Sequence, residues 1–373
     1  MRVEGITLSF FGWDVAILCD DPRYLSLFLR LYPRAATTAK SRPSNSLAFQ
    51  ILTGNHNLFG APVVVIGDDV HPLLISPPRL DYIHSLVLET LQRRLASHFL
   101  IHAGVVSRGG KGILLVGDAF YGKSTLSLEL TRRGYCFLSD EMAAIGRDDG
   151  LVHPFPRCLS VRPASAEHLE FDLPGEIDES FGNHLFDIEE LFPGRMGNAV
   201  PIGAVCILSD AGMMPQTPGT SSTRLVYIWV ESPTPAFLAD LGRGKDIANL
   251  VVRDRGDHTM ITLTTGNRIA IAERARALCA QHRVLLLGIS THMGHRPDFG
   301  RPPALEAISP SQAAIYVLQR FRGGHEALLK ATPDGRPAHL FAELVELISG
   351  AACYTLSVGS LVQAADLIDA IPL

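Results

Sequence analysis

The pattern of apolar and polar positions along the chain alternates between strand-like runs and stretches with helical spacing, which predicts an α/β protein. Short apolar runs dominate the first eighty residues, where turns rich in glycine, asparagine and proline separate them. One helix interrupts these runs, because Asp21 can cap it, Pro22 suits its first turn and Pro33 ends it. The pattern therefore predicts a small, mostly β N-terminal subdomain over residues 1–80.

A helix over about residues 81–97 leads into the second predicted domain, residues 81–373, where apolar strands and amphipathic helices alternate. The apolar runs of its first part predict strands over residues 99–106, 113–116 and 135–139. The later part predicts strands over residues 204–208, 225–230 and 283–287, a loop over residues 210–223, and helices over residues 268–281, 315–321 and 338–348.

The glycine-rich stretch after the strand at residues 113–116 carries the clearest chemistry. It reads Gly117-Asp118-Ala119-Phe120-Tyr121-Gly122-Lys123-Ser124-Thr125. The Gly-x-x-x-x-Gly-Lys-Ser spacing lets backbone N–H groups converge on phosphate oxygens, while the lysine reaches the β- and γ-phosphates and the serine holds Mg²⁺. A helix that begins at about Lys123 points the positive end of its dipole at the same anion. The stretch therefore predicts a nucleotide-phosphate loop, and an ordinary glycine-rich turn is the alternative.

Two acidic residues, Asp140 and Glu141, follow the predicted strand over residues 135–139. Open α/β sheets bind their ligands at the carboxyl ends of their strands, so both are candidates for metal binding and proton abstraction. Because adjacent side chains of an extended chain point to opposite faces, we expect the two carboxylates to divide these roles. A solvated strand end or a helix cap is the alternative interpretation.

Composition and charge narrow the functional classes. The chain has 373 residues, of which 47% are hydrophobic, and its 33 Lys and Arg against 38 Asp and Glu give a net charge of -5. This balance gives no reason to propose a nucleic-acid or membrane-surface partner. No apolar run approaches a membrane span and the N-terminus lacks a leader pattern, so we expect a cytoplasmic protein. The six cysteines are scattered without metal-ligand spacing, which predicts buried thiols.

Four segments around the predicted phosphate loop form a recognisable set. They are His102-Ala103-Gly104, Gly117 through Thr125, Arg133-Gly134-Tyr135 and Leu138-Ser139-Asp140-Glu141. Together they resemble the kinase core of the HPr kinase/phosphorylase family, and most of all the related kinases whose acidic pair is Asp-Glu. The resemblance implies a phosphoenolpyruvate-carboxykinase-like P-loop core, ATP and Mg²⁺ as cofactors, and a serine hydroxyl as the usual phosphate acceptor. It is also compatible with a homo-oligomer, because the family is often oligomeric.

Carried over position by position, the resemblance implies a role for each residue of the set. Lys123 would clamp the phosphates, Ser124 would bind Mg²⁺, and Asp140 would be the base toward the acceptor hydroxyl and a metal contact. Glu141 would be a second metal contact. His102 matches the histidine on the strand before the loop, where it could hydrogen-bond the acidic site, although a lone histidine in an apolar strand is often a core residue.

Three further features bear on the resemblance. Arg157 and Arg162 are the nearest candidates for an arginine that stabilises the transition state, and a surface salt bridge is the alternative for either. The loop carries Ala119-Phe120-Tyr121 where the family usually carries small residues, a departure that bears on how tightly the loop closes around the γ-phosphate. No Arg-Gly-x-Gly segment follows the acidic pair, which argues against a phosphorylase reaction and against HPr as the substrate.

The sequence therefore predicts an ATP- and Mg²⁺-dependent kinase that phosphorylates a hydroxyl, most simply a serine of a protein or a ribosomally made peptide. A small-molecule hydroxyl kinase on the same core and a nucleotide-binding module without phosphoryl transfer are the two alternatives. His292 and His295 could form part of a metal site, but without a third ligand a surface or substrate-facing loop is the alternative there.

Overall fold

The structure is a computed structural model that describes residues 4–37, 45–54, 62–72, 80–118, 121–169, 171–173, 177–178, 183–209, 224–244, 247–254, 259–292, 299–321, 329, 332 and 334–373. These residues form a mixed α/β architecture with several sheets, which confirms the predicted class. They separate into two compact units, one of residues 1–212 with 297–373 and one of residues 213–296. The sequence does not predict the second unit, and the domain boundary at residues 80/81 stays a prediction.

The strands, in chain order, are β1 (Glu4–Phe10), β2 (Trp13–Cys19), β3 (Ala36–Thr37), β4 (Asn45–Leu52), β5 (Val63–Ile66), β6 (Asp69–Pro72), β7 (His98–Ile101), β8 (Ala103–Arg108), β9 (Lys111–Val116), β10 (Cys136–Ser139), β11 (Ala143–Gly146), β12 (Leu151–His153), β13 (Leu159–Val161), β14 (Ile177–Asp178), β15 (Asn183–Phe186), β16 (Val200–Ser209), β17 (Arg224–Glu231), β18 (Ile247–Asp254), β19 (Thr259–Thr265), β20 (Leu285–His292), β21 (Leu305–Ala307) and β22 (Ala352–Ser357). The helices are α1 (Pro22–Leu31), α2 (Leu80–Arg94), α3 (Lys123–Arg132), α4 (Pro163–Ala166), α5 (Ile188–Leu191), α6 (Pro235–Gly242), α7 (Arg268–His282), α8 (Pro310–Leu318), α9 (Pro337–Ile348) and α10 (Leu361–Asp369).

The first six strands form one sheet in the order β3-β1-β2-β4-β5-β6. Helix α1 begins where its sequence predicts, because the Asp21 carboxylate accepts a hydrogen bond from the backbone N–H of Arg23 and proline occupies the first turn. The buried face of α1 packs in the same hydrophobic cluster as the sheet, α2, Phe155 and Cys158. The N-terminal sheet therefore shares its core with the segment that follows the acidic pair.

The larger sheet runs in the order β10-β8-β9-β16-β12-β11-β7, and β22 joins it beside β16. Alternate residues of β8, β9 and β16 face opposite sides, as the period of a strand requires. One side packs against α8 and α9, and the other packs against α3 and α10. This arrangement buries the strand that precedes the phosphate loop on both faces.

Residues 98–108 and 136–146 run antiparallel beside each other, and both segments are interrupted at the same level. His102 separates β7 from β8, and residues 140–142 separate β10 from β11. The predicted single strand over residues 99–106 is therefore wrong at His102. The backbone N–H of His102 donates to the carbonyl of Arg320 at 2.8 Å, which replaces a strand partner. The interruption places His102 opposite the acidic pair.

The second unit has the order strand, helix, strand, strand, helix, strand. Its sheet runs β18-β19-β17-β20, and every neighbouring pair is antiparallel. Both helices pack on one face of this sheet, where α6 and α7 contribute Phe237 and Ala275 to its own hydrophobic cluster. This is the ferredoxin-like topology. The predicted strand over residues 283–287 begins later, at Leu285, because Arg283 ends α7 in the left-handed conformation with φ 54°.

Other helix boundaries differ from their predictions for local reasons. α2 ends at Arg94 and not at residue 97. α8 begins at Pro310, five residues before the predicted start, because Ser309 and Gln312 form a capping box ahead of it. Among the described helices, none is both long and apolar enough to cross a membrane.

Candidate active site

The phosphate loop joins β9 to α3, and the helix begins at Lys123 as the sequence predicts. Gly122 caps the helix with φ +79°, a conformation that side-chain-bearing residues rarely adopt. The buried Lys123 folds back over the loop, where its Nζ donates to the carbonyls of Gly117 at 3.0 Å and Asp118 at 2.9 Å. Its ammonium group therefore lies at the start of α3, beside the helix N-terminus. Ala119 and Phe120 lie outside the described residues.

Close packing around the loop explains why the residues at positions 104 and 117 are glycines. A Cβ atom on Gly104, in β8, would lie 2.5 Å from Oγ of Ser127 on α3. A Cβ atom on Gly117 would lie 2.9 Å from Cβ of Leu208 in β16. Both distances are too short for a side chain, so these glycines allow the helix and the loop to rest directly on the sheet.

Asp140 lies at the end of β10 with its side chain buried at 3% exposure. Its Oδ2 accepts a hydrogen bond from the backbone N–H of Ser160 at 3.3 Å, and its carboxyl also interacts with the Ser124 side chain. Burial raises the pKa of Asp140 to about 6, although the positive charge of Arg157, the N–H of Ser160 and the Ser124 side chain lower it. The carboxyl therefore joins the acidic pair to the first turn of α3.

Glu141 has different partners from its neighbour. Its Oε2 lies 3.2 Å from Nη1 of Arg157, and its Oε1 lies 3.4 Å from Nδ1 of His102. The same imidazole nitrogen is 3.1 Å from the carbonyl oxygen of Glu141. The side chain of Glu141 is 33% exposed. The two carboxylates thus have separate environments, and the division of roles between them stays a prediction.

Of the two candidate arginines, Arg157 is the one in contact with the acidic pair. Its side chain is 10% exposed, and its Nε has no hydrogen-bond partner among the described residues. Burial works against its charge, but the carboxylates of Glu141 and Asp140 outweigh that effect and raise its pKa. Arg162, an exposed residue before α4, interacts with the charge of Glu141 at longer range.

Two features near the site carry no signal in the sequence. The first is Arg320, in the turn after α8, whose Nε lies 3.1 Å from Oδ1 of the loop residue Asp118. A basic residue at the end of a helix is common, so only the fold reveals its position. The second is the buried pair Tyr32 and His84, whose hydroxyl and Nε2 are 2.8 Å apart. Burial lowers the pKa of His84 to about 3, and the charge of Arg157 lowers it further.

The structure therefore connects a subset of the predicted site residues. Lys123 and Ser124 begin α3, the Asp140 carboxyl interacts with Ser124, and Glu141 contacts His102, while the individual roles of these residues stay predictions. Among the residues that the structure describes, no three His, Cys, Asp or Glu side chains group as a metal site. His295, the side chain of His292 and the loop over residues 210–223 lie outside the described part of the chain. The cysteines are free, and all except Cys136 are buried.

Comparisons with known proteins bear on part of the chain. No protein-family model matches it. HPr kinase/phosphorylase 1 of Oceanobacillus iheyensis is 30% identical over 98 residues, which are 26% of this chain and 30% of that protein. HPr kinase/phosphorylase of Bacillus subtilis is 35% identical over 78 residues, which are 21% of this chain and 25% of that protein.

The match therefore spans only 25–30% of the length of these two curated relatives. Among solved structures, the HPr(Ser) kinase/phosphatase of Coxiella burnetii is 21% identical and matches 34% of this chain and 75% of that chain. Its TM-score of 0.22 is too low to support an argument about the fold. Over the part matched by its curated relatives, the chain is HPr-kinase-like, and it is related to the HPr kinase/phosphorylase family.

Proposed function

We propose that this chain is an ATP- and Mg²⁺-dependent kinase of the HPr-kinase type that phosphorylates a serine hydroxyl of a protein or a ribosomally made peptide. The proposal includes a phosphoenolpyruvate-carboxykinase-like P-loop core in residues 81–373, with residues 1–80 as a small N-terminal subdomain. The observation that carries it is the position of the buried carboxyl of Asp140 at the end of β10, where it interacts with Ser124, the residue directly after Lys123 in the first turn of α3.

Phosphoryl transfer depends mainly on positioning and charge stabilisation, and the contacts of the site suit that demand. Lys123 and the N–H groups at the start of α3 would bind the phosphates, which requires Lys123 to exchange the carbonyls of Gly117 and Asp118 for phosphate oxygens. Asp140, with a pKa raised to about 6, is mostly ionised at neutral pH yet more basic than an ordinary aspartate. It is therefore suited to accept the proton of an attacking hydroxyl.

The side chains around Asp140 also fit a magnesium ion. The oxygen donors of Ser124, Asp140 and Glu141 are of the type that Mg²⁺ prefers, and this ion usually takes only one or two carboxylates, with waters and substrate phosphates completing its shell. These three residues would hold the ion, which supplies charge neutralisation to the phosphates when it is bound. His102, at Glu141, would orient that carboxylate through its Nδ1.

Arg157 supports the same site through its charge. Its guanidinium contacts Glu141 and lowers the pKa of Asp140, so it helps to keep the buried Asp140 carboxylate ionised. We assign it to the positioning of Glu141.

A phosphate-transfer assay tests the proposal. The purified chain is incubated with Mg²⁺, γ-labelled ATP and either cell extract or peptides encoded by neighbouring genes. We expect a labelled polypeptide with the wild type and at least about 100-fold less label with Asp140→Asn. Lys123→Ala should produce no label, because it loses nucleotide binding. Asp148→Asn and Lys111→Ala, at exposed positions, are the matched controls and should label normally.

Each other outcome contradicts a defined part of the proposal. Undiminished labelling by Asp140→Asn would exclude it as the base. Label confined to small molecules would favour a small-molecule hydroxyl kinase. Tight binding of ATP without any labelled product would favour a nucleotide-binding module.

A further inference from the structure

Arg320 links the phosphate loop to the interrupted strand that carries His102. Its backbone carbonyl accepts the N–H of His102 at 2.8 Å, and the next residue, Phe321, forms an isolated bridge with Ile101. Its side chain extends to the loop, where Nε lies 3.1 Å from Oδ1 of Asp118. Arg320, which lies outside the glycine-rich motif, therefore contacts both the phosphate loop and the interrupted strand segment that carries His102.

The contact between Arg320 and Asp118 is electrostatic. The two side chains are 15% and 19% exposed, so water screens their charges only weakly. The Nε atom of Arg320 is buried and makes no hydrogen bond to the described residues, so its N–H is not aimed at the carboxylate in spite of the short distance. The Nε atom therefore faces Asp118 as part of a charged group, while Nη1 of the same guanidinium donates to Oε1 of Gln319 at 3.3 Å.

Asp118 is the second residue of a loop whose expected ligand is a polyanion. A carboxylate at that position repels phosphate groups unless a cation compensates it, and the proposed function assigns the loop's own lysine, Lys123, to the phosphates themselves. Among the described residues, Arg320 places its cationic side chain in contact with this carboxylate.

We propose that Arg320 is a positioning residue that neutralises Asp118, so that the loop can accept a nucleoside triphosphate. The inference rests on the proposed function, since it takes a nucleotide as the ligand of the loop. It assigns a role to a residue that lies almost two hundred positions after Lys123 in the chain.

A double-mutant cycle tests the inference through the affinity for MgATP, measured by titration calorimetry on the full chain. We expect Arg320→Gln to weaken binding about tenfold or more, because it leaves the Asp118 charge uncompensated. In Asp118→Asn the repelling charge is gone, so this variant should bind at least as tightly as the wild type. The double variant should recover to within about threefold of Asp118→Asn. Arg93→Gln, at an exposed position on α2, is the control.

The contrary outcomes separate this inference from the proposed function. If the wild type binds MgATP and Arg320→Gln binds it equally well, the inference fails and the proposed function stands. If Arg320→Gln weakens binding but Asp118→Asn does not restore it, Arg320 acts in another way and the inference also fails. A wild type that binds no nucleotide overturns both. If Arg320→Gln does not fold, Asp118→Asn decides alone, since weaker binding by that variant contradicts the inference.

Discussion

The burial of the Asp140 side chain lowers the stability of the folded protein and makes the carboxylate more basic. Its burial makes the ionised form costly, and that cost is also what raises its pKa toward the range in which a carboxylate can act as a base. A group of this kind lowers the stability of the folded protein at neutral pH. The charge of Arg157, the N–H of Ser160 and the Ser124 side chain offset only part of that cost.

The pH dependence of stability should reveal this cost. The pKa of Asp140 is raised from 3.8 to about 6, so the folded protein binds more protons than the unfolded chain between these values. The corresponding stability is present below pH 3.8 and lost as the pH rises to about 6. We therefore expect the unfolding free energy of Asp140→Asn to rise relative to that of the wild type, by up to about 3 kcal/mol, when the pH is raised from 4 to 7. Urea titrations of the metal-free proteins at these two pH values measure the difference. An equal difference at both pH values would contradict this expectation.

His84 should show the opposite sign. Its pKa is lowered from 6.5 to about 3, so the stability that its neutral form contributes is present above pH 6.5 and lost as the pH falls toward 3. Between pH 7.5 and 4.5 the wild type should lose about 2–3 kcal/mol more than His84→Gln, whose side chain does not titrate. Urea unfolding at the two pH values measures this, and parallel losses would show that His84 is not buried in its neutral form. Because the windows of His84 and Asp140 overlap, only the variants separate the two contributions.

At the scale of elements, local signals in the sequence predict the ends of several helices. Asp21 and Pro22 define the start of α1, and the glycine-rich loop defines the start of α3, because both depend on neighbours in the chain. The interruption at His102 has no such signal, since apolar residues continue on both sides of it. Arg320 is equally hidden, because its partner Asp118 lies about two hundred residues away. The sequence therefore predicts the position of the phosphate loop and the start of α3. It does not predict the interruption at His102 or the contact between Arg320 and Asp118.

The packing of α3 on β8 gives a test at this scale. Gly104→Ala places a methyl group 2.5 Å from Oγ of Ser127, so we expect a loss of about 1–3 kcal/mol in unfolding free energy and weaker nucleotide binding. Ser127→Ala removes that oxygen, which has no hydrogen-bond partner among the described residues, and should be nearly neutral alone. The double variant should regain most of the stability in chemical denaturation, because the next atom is 3.6 Å from the new methyl group. If the losses of unfolding free energy in the two single variants add up in the double variant, the contact with Oγ of Ser127 is not the cause of the Gly104→Ala loss.

At the scale of the whole molecule, residues 213–296 form a unit within the sequence of the other unit. The apolar pattern predicts two of its four described strands, over residues 225–230 and 283–287, and its second helix, but not β18, β19 or which strands pair with each other. Within the larger unit, Leu208 and Phe299 both lie close to the phosphate loop. Leu208 is the neighbour of Gly117, and Phe299 lies 3.4 Å from where a Cβ atom of Gly122 would be.

The inserted unit should fold when it is expressed alone. Its six elements share one buried cluster that includes Ile228, Phe237 and Ile261, and its sheet is complete in itself. We expect residues 213–296 to show a cooperative thermal transition by circular dichroism, and Phe237→Ala to lower its unfolding free energy by about 3–5 kcal/mol. Val251→Ala, at a position 43% exposed, is the control. A fragment without a transition would show that the unit depends on the rest of the chain.

The interruption of the paired strands at His102 and Asp140 also has a consequence for motion. On either side of it, amides are protected by two different ladders, β7 with β11 and β8 with β10. At the interruption itself, the N–H groups of Glu141 and Met142 are held by the single hydroxyl of Ser139. Protection against hydrogen exchange should therefore change abruptly at this level. The candidate catalytic groups lie at the boundary between these two ladders, and independent opening of either ladder would let them adjust without global unfolding.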